Sequence, residues 1–121
     1  MIGLGTDVVH IERFRAALLR TPTLADRLFT DVERAYAQQA RDPAERFAVR
    51  FAVKEATMKA LGVGLGAFPF ACVELANATS GAPRLELTGA AAALARERGV
   101  TEWRVSVSHD HHVALAVVVA L

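Results

Sequence analysis

One long helix with clear start and stop signals is the feature of this sequence that most constrains its fold. The segment Asp42-Pro43-Ala44-Glu45 supplies an acid at the N-cap, proline at the first helical position and a second acid at the third. Gly62 suits the position just after a helix, so the helix is predicted to run to about Leu61. Alanines recur every four residues within it and form a thin face, which predicts close packing by another element. These are Ala48, Ala52, Ala56 and Ala60.

The segments on either side of this helix indicate an α+β fold. The predicted strands cover residues 2–9, 72–76, 83–87, 102–108 and 113–120. The other predicted helices cover residues 11–20, 31–40 and 89–98, and a short predicted turn covers 24–29. Strand and helix do not alternate in this order, so we expect a largely antiparallel sheet packed against the long helix and the shorter helices.

Local signals add detail at three places. Thr30 and Glu33 have the spacing of a capping box for the helix over 31–40. Thr88 is placed to cap the helix that follows it. The two middle strands are predicted to form a hairpin around residues 77–82.

Length and composition limit the kind of protein this can be. A chain of 121 residues has room for one hydrophobic core, so residues 1–121 are predicted to form a single domain. A net charge of +1 excludes a strongly basic arm, and we expect no nucleic-acid partner. The single cysteine, Cys72, cannot form an intrachain disulfide, which fits a reducing compartment. With no secretory signal and no apolar run long enough to span a bilayer, we expect a cytoplasmic protein without a membrane partner.

Arginines are concentrated between residues 13 and 27. They are Arg13, Arg15, Arg20 and Arg27, and the same segment contains one acid, Asp26. Such a basic patch predicts an anionic partner. An ordinary solvated helix face explains the same pattern and stays as the alternative.

Three residues of the long helix form a stripe on which chemistry can be built. Phe51, Glu55 and Lys59 are four residues apart. The simpler interpretation is a Glu55–Lys59 surface pair worth about 0.3–0.5 kcal/mol. Asp7, an acid among strand residues, needs a partner unless it caps the helix that begins near Ile11. A carboxylate on a strand and another on a helix suit Mg²⁺, which usually binds one or two carboxylates together with phosphates and waters.

Two further motifs carry weaker signals. Ser108-His109-Asp110 with His111 and His112 lies at a turn, where a polar turn is the simplest interpretation and a single functional His109 is the alternative. A structural zinc site is disfavoured, because two of the histidines are adjacent and no cysteine is nearby. Gly62-x-Gly-x-Gly66 follows a helix instead of opening one, so it lacks the helix N-terminus on which phosphate loops depend.

Taken together, these motifs resemble the bacterial holo-[acyl-carrier-protein] synthase family, the small phosphopantetheinyl transferases. The resemblance covers essentially the whole chain. It is carried by Gly3-Leu-Gly-Thr-Asp7, Ile11-Glu-Arg-Phe14, the run from Arg50 to Gly62, Gly81-x-Pro83 and Val107-Ser-His109. One departure is Ala82, where many relatives carry a lysine.

The resemblance implies the phosphopantetheinyl transferase fold and a transfer of phosphopantetheine from coenzyme A to a serine of apo acyl carrier protein. Adenosine bisphosphate would be released, in fatty-acid or polyketide synthesis. On the matching positions, Asp7 and Glu55 would bind Mg²⁺ and Glu55 would take the serine proton. Lys59 would lie against the phosphates and stabilise charge on the departing group.

The resemblance also implies binding surfaces and an assembly. The residues matching the nucleotide pocket are Arg50, Phe51, Pro83 and His109. Those matching the face that docks the acidic helix of the carrier protein are Arg13, Arg20 and Arg27. Family members usually form homotrimers with active sites between subunits, so the same is expected here.

Two other functions compete with the transferase interpretation. The first is a noncatalytic module that binds an acidic protein through the basic patch. The second is a metal-dependent phosphohydrolase that uses Asp7 and Glu55, although two carboxylates alone make a poor water-activating cluster. Lys54 stays unassigned, because it could reach a ligand from the rim or pair across a subunit boundary. Asp110, His111 and His112 also have no assigned role.

Overall fold

The long helix supplies more buried apolar residues than any other described element. In the computed structural model, residues 1–77 and 80–121 are described. The strands are β1 (Gly3–His10), β2 (Val73–Asn77), β3 (Pro83–Leu87), β4 (Trp103–His109) and β5 (Val113–Ala120). The helices are α1 (Ile11–Arg20), α2 (Leu24–Leu28), α3 (Asp31–Gln38), α4 (Pro43–Ala60) and α5 (Gly89–Glu97). One 3₁₀ turn, Phe70–Cys72, precedes β2.

The strands form two antiparallel sheets, which confirms the predicted α+β class. One sheet has the order β1-β5-β4, and the other pairs β2 with β3. Asp7 is opposite Ala116 in the first sheet, and His109 is opposite Ala114. The turn predicted for residues 77–82 includes residues 78 and 79, which lie outside the described residues.

The alanine face of α4 packs as closely as its composition predicts. Ala48, Ala52 and Ala56 are fully buried in one core with the inward residues of β5. Two glycines of β1 make the approach of the helix possible. A Cβ added to Gly3 or to Gly5 would lie 1.8 Å from a carbonyl oxygen of α4. Only glycine therefore fits at these two positions on the first strand.

One element was predicted wrongly. Residues 24–28 form a short helix instead of the predicted turn. Leu24 and Leu28 are four residues apart, so both reach the core on one helical face, and Phe29 follows almost fully buried. That spacing was present in the sequence, but a single helical turn gives too short a periodic signal to distinguish it from a loop.

The cap predictions had mixed outcomes. The Thr30–Glu33 capping box is present, and Gly62 has a φ of 73° just after α4. Asp42 makes no side-chain cap for α4, because both of its carboxylate oxygens accept hydrogen bonds from the Arg15 guanidinium. This pair holds the pKa of Asp42 below its usual range. Thr88 also makes no side-chain hydrogen bond as a cap.

Within residues 1–77 and 80–121, no helix combines the length and the apolar character that a membrane span needs.

Candidate active site

The predicted site residues other than Lys59, Arg20 and Arg27 lie in two clefts, which share no lining residue within the described part of the chain. The first, here called the carboxylate cleft, has a volume of about 500 Å³. Its lining residues are Asp7, Val8, Val9, His10, Arg13, Phe14, Ala17, Phe51 and Glu55. The second, here called the arginine cleft, has a volume of about 350 Å³. Its described lining residues are Tyr36, Glu45, Arg46, Val49, Arg50, Leu75, Asn77, Gly81, Pro83, Val107 and His109.

The close packing of β1 on α4 brings Asp7 to Glu55 and Lys59. The Lys59 ammonium donates to Oδ1 of Asp7 at 3.2 Å and to the carbonyl oxygen of Thr6 at 2.9 Å. Lys59 thus pairs with Asp7. The surface-pair interpretation, which required a Glu55–Lys59 pair, is wrong. Asp7 does not cap α1 either, because the N-cap residue of that helix is His10.

Glu55 sits in a less polar environment than an ordinary surface glutamate. Partial burial raises its pKa, the neighbouring Asp7 carboxylate raises it further, and Lys59 partly opposes both effects. Two carboxylates that disfavour each other's charge form a site that a cation stabilises.

The donor set of the carboxylate cleft fits a hard divalent cation. Asp7 and Glu55 offer carboxylate oxygens from two different elements. Within the described chain no cluster of three or more His, Cys, Asp or Glu residues is arranged to hold a metal. A cation here would therefore take only two protein ligands and fill its other positions with water and phosphate oxygens, the pattern that Mg²⁺ favours.

Aromatic rings form the apolar wall of this cleft. Phe51 stacks on Phe14 with ring centroids 5.0 Å apart, and the centroid of the Phe70 ring lies 5.5 Å from that of Phe51. The rings fix Phe51 beside Glu55, one turn along α4. Phe51 therefore lines the carboxylate cleft and not the arginine cleft, where Arg50, Pro83 and His109 lie.

The arginine cleft is built around the ring of Tyr36. The guanidinium groups of Arg46 and Arg50, one turn apart on α4, lie 3.9 and 4.4 Å from the centre of that ring. Arg50 is 4% exposed, burial lowers its pKa, and its buried Nε has no hydrogen-bond partner among residues 1–77 and 80–121. A buried cation with an unused donor indicates a site for an anion.

The rim of this cleft holds His109, whose Nδ1 lies 3.0 Å from a carboxylate oxygen of Glu45. This contact joins the end of β4 to the first turn of α4. Glu45, Arg46 and Tyr36 were not predicted as site residues. The i, i+4 spacing of Arg46 and Arg50 was the available signal, but nothing local to α4 showed that a tyrosine from α3 lies against both.

Both interpretations considered for Lys54 are wrong. Its side chain is fully buried within its own chain, where it donates to Glu33 and to the carbonyl oxygens of Phe70 and Val73. It reaches neither a ligand at the rim nor a subunit boundary. The α4 positions facing α3 and β2 are interior, so a lysine there needs internal partners.

The histidine-rich turn is a polar turn closed by hydrogen bonds between one side chain and the backbone. Oδ1 of Asp110 accepts hydrogen bonds from the backbone N–H groups of His112 and Val113, which lowers the pKa of Asp110. His111 and His112 are exposed. Asp110 thereby has a role in closing the turn.

The basic patch divides into engaged and free arginines. Arg15 is held by Asp42, whereas Arg13, Arg20 and Arg27 are exposed and form no salt bridge with any described residue. Arg13 also lines the carboxylate cleft. Of the free arginines, Arg13 and Arg20 lie on α1 and Arg27 lies on α2.

Comparison with known proteins gives one consistent result. Residues 3–118 match the model of the 4'-phosphopantetheinyl transferase superfamily. The chain is 51% identical to the holo-[acyl-carrier-protein] synthase of Streptomyces avermitilis over 99% of this chain and 97% of that protein. It is 48% identical to the same enzyme of Salinispora arenicola, covering 99% and 98% of the two chains.

Solved structures agree with the sequence relatives. The holo-[acyl-carrier-protein] synthase of Neisseria meningitidis superposes with a TM-score of 0.91 at 32% identity, covering 100% of this chain and 98% of the other. The Helicobacter pylori enzyme, crystallised in complex with coenzyme A, gives a TM-score of 0.86 at 28% identity over 98% and 99% of the chains.

Proposed function

Since this chain belongs to the holo-[acyl-carrier-protein] synthase family of phosphopantetheinyl transferases, we propose that it moves phosphopantetheine from coenzyme A to a serine of apo acyl carrier protein with the help of Mg²⁺. The observation that carries the proposal is the meeting of three side chains: Asp7 and Glu55 line the carboxylate cleft together, and Lys59 pairs with Asp7. These side chains come from β1 and α4, 52 residues apart at the Lys59–Asp7 contact.

The reaction needs a nucleophile, a proton acceptor and stabilisation of the leaving group. The serine oxygen attacks the phosphorus that carries pantetheine, and the bond from that phosphorus to the bridging oxygen breaks. Adenosine 3′,5′-bisphosphate leaves. Glu55, which lines the carboxylate cleft, accepts the serine proton. Lys59, more than half exposed, can turn from Asp7 towards the departing phosphate.

Asp7 and Glu55 are the residues that would hold the metal. When bound, Mg²⁺ would neutralise pyrophosphate charge and orient the reacting phosphorus. The Phe14–Phe51 pair beside these carboxylates excludes water from one side of the cleft.

Coenzyme A has a nucleotide end and a reactive pyrophosphate, and the two clefts suit these two parts. We assign the nucleotide to the arginine cleft, where Arg50, Pro83 and His109 meet, and the pyrophosphate to the carboxylate cleft. Phe51, which lines the carboxylate cleft, and Lys59, which pairs with Asp7, would contact the pyrophosphate end of the ligand.

We further propose a homotrimer in which each active site combines clefts of neighbouring subunits. The outer face of β1 and β5 supports self-association, because Leu4, Val8 and Leu115 are 53%, 58% and 38% exposed there. Val8 and Leu115 are directly opposite each other in the sheet, so these side chains form one apolar surface. Such an assembly would let coenzyme A extend from the arginine cleft of one subunit to the carboxylate cleft of the next.

The acceptor docks, in this proposal, on the free arginines Arg13, Arg20 and Arg27. All three are exposed and Arg13 lines the carboxylate cleft, so an acidic carrier protein docked on them would bring its serine towards Glu55. We place the activity in the cytoplasm and in fatty-acid synthesis, with polyketide carriers as a second class of acceptor.

The test is incubation of the protein with coenzyme A, Mg²⁺ and apo carrier protein, followed by intact-mass measurement. The carrier should gain the mass of phosphopantetheine, and no gain beside an active control enzyme would refute the proposal. Glu55→Gln should abolish transfer while carrier binding persists, which a noncatalytic binding module would not show. Release of free phosphopantetheine without carrier protein would indicate a phosphohydrolase instead.

A further inference from the structure

Three cations of α4 continue from the arginine cleft into the interior. Arg46, Arg50 and Lys54 are four residues apart, so they lie on one face of the helix. Helix α3 faces them with Tyr36 and Glu33, which are three residues apart. Tyr36 lies against the two arginines and Glu33 binds the lysine.

Glu33 joins three elements through hydrogen bonds that are all internal. Its Oε1 accepts from Lys54 Nζ at 2.7 Å and from the backbone N–H of Thr30 at 3.0 Å. Its Oε2 accepts from the backbone N–H of Leu75 at 3.1 Å. Glu33 and Lys54 are both fully buried. One carboxylate therefore fixes α3, α4 and β2 relative to one another.

These same three elements supply most of the wall of the arginine cleft. Tyr36 comes from α3, Arg46 and Arg50 from α4, and Leu75 from β2. Leu75 belongs to both sets, since its N–H binds Glu33 and its side chain lines the cleft. The geometry of the cleft thus depends on a carboxylate that is not itself among the lining residues.

The charges around Glu33 are not balanced. Burial lowers the pKa of both Arg50 and Lys54, and Glu33 opposes the effect at each of them. One buried carboxylate therefore faces two buried cations, and the wall of the cleft keeps an excess of positive charge.

We propose that Glu33 is a positioning residue for the arginine cleft: with Lys54 it locks α3 and β2 onto α4 and so holds Tyr36, Arg46 and Arg50 in the arrangement that binds a nucleotide phosphate. The inference rests on the proposed function for its ligand class. It adds Arg46 and Tyr36 to the anion-binding residues and gives Lys54 a role away from the reacting atoms.

The direction in which Glu33→Gln changes nucleotide affinity distinguishes a positioning role from a purely electrostatic one. Glu33→Gln removes a negative charge near the cleft, so a purely electrostatic role would make an anion bind more tightly. A positioning role predicts weaker binding, by roughly tenfold, because the amide cannot hold Lys54 as the carboxylate does. Isothermal titration of the full chain with adenosine 3′,5′-bisphosphate measures the difference.

A double variant removes the charge effect altogether. Glu33→Met with Lys54→Met replaces the ion pair by apolar side chains of similar length, so the net charge of the wall is unchanged and the fold is retained. It should also bind the nucleotide more weakly. Val53→Ala, a fully buried change on the same helix that lines neither cleft, should lose thermal stability while it keeps wild-type affinity.

Each outcome decides the proposal. Weaker binding by the double variant with normal binding by Val53→Ala supports it, even if Glu33→Gln alone does not fold. Wild-type affinity in the double variant, or equal losses in all variants, overturns it. A wild-type protein that does not bind the nucleotide would instead refute the proposed function, and the inference with it.

Discussion

The Lys59 ammonium lies 3.2 Å from Oδ1 of Asp7, so a helix residue proposed to contact phosphate and a strand residue proposed to bind metal touch directly. The contact depends on Gly5, since any side chain there would push β1 away from Ala56 and carry Asp7 with it. The close approach of β1 to α4 thus determines the arrangement of the carboxylate cleft.

Replacement of Lys59 by methionine should lower the turnover of the transfer reaction by about 10²-fold, because the developing charge on the leaving phosphate loses its ammonium partner. Lys59→Arg keeps a positive charge and should retain much more activity. Initial rates at saturating coenzyme A and carrier protein measure the effect. Equal loss in both variants would contradict a role for charge.

Chelation of divalent cations by EDTA should abolish transfer, and added Mg²⁺ should restore it. Asp7→Asn and Glu55→Gln should each weaken cation binding, since each removes one of only two proposed protein ligands. Titration of Mn²⁺ into the protein, followed by electron paramagnetic resonance, reports binding independently of activity. Unchanged Mn²⁺ affinity in both variants would show that the metal, if required, binds elsewhere.

Glu55→Gln should be more stable than the wild type near neutral pH in the presence of EDTA. The folded state raises the pKa of Glu55 above its ordinary value of 4.5, so ionised Glu55 costs stability once the pH exceeds the folded pKa. The cost disappears below the ordinary value, where the group is protonated in both states. Thermal unfolding from about pH 4 to about pH 8 should therefore show a difference in midpoint between Glu55→Gln and the wild type that grows as the pH rises. A midpoint difference that does not change with pH would show that the raised pKa of Glu55 is not its cause.

Gly5→Ala should destabilise the protein by at least about 1–3 kcal/mol, because its Cβ would overlap the backbone of α4 and backbone cannot yield as a side chain does. Gly64→Ala is the matched control. A Cβ at Gly64 meets nothing within 4 Å, so its stability should change little. Urea unfolding of the two variants makes the comparison, and similar midpoints would show that β1 can shift.

Charge reversal at Arg20 should weaken binding of apo carrier protein, with a loss that shrinks as salt is added. Turnover at saturating carrier protein should stay near the wild-type value, since Arg20 lines neither cleft. Arg96→Glu makes the same change on an exposed residue of α5 and should leave carrier affinity unaltered. Equal losses at both positions would indicate that overall charge, and not a docking face, attracts the carrier.

Much of the local structure was readable from the sequence. The extent of α4, the Thr30–Glu33 capping box and the strands around the histidine turn follow from spacing within a few residues. The alanine face of α4 is also local, and it predicted close packing by another element without naming β1.

Other features depended on which surfaces meet. Asp42 has the sequence of an N-cap, but a guanidinium from α1 competes for its oxygens. Lys54 has the spacing of a surface residue, but α3 and β2 cover it. Neither partner lies close enough in sequence to leave a periodic signal.

The sequence alone determined the order of the elements, the long central helix and the motifs that carry the family resemblance, because these depend on interactions between neighbours along the chain. Only the tertiary structure decided that Lys59 meets Asp7, that Lys54 is interior, and that Phe51 and Arg50 line different clefts. These are contacts between elements that are tens of residues apart, and the docking of whole faces sets them.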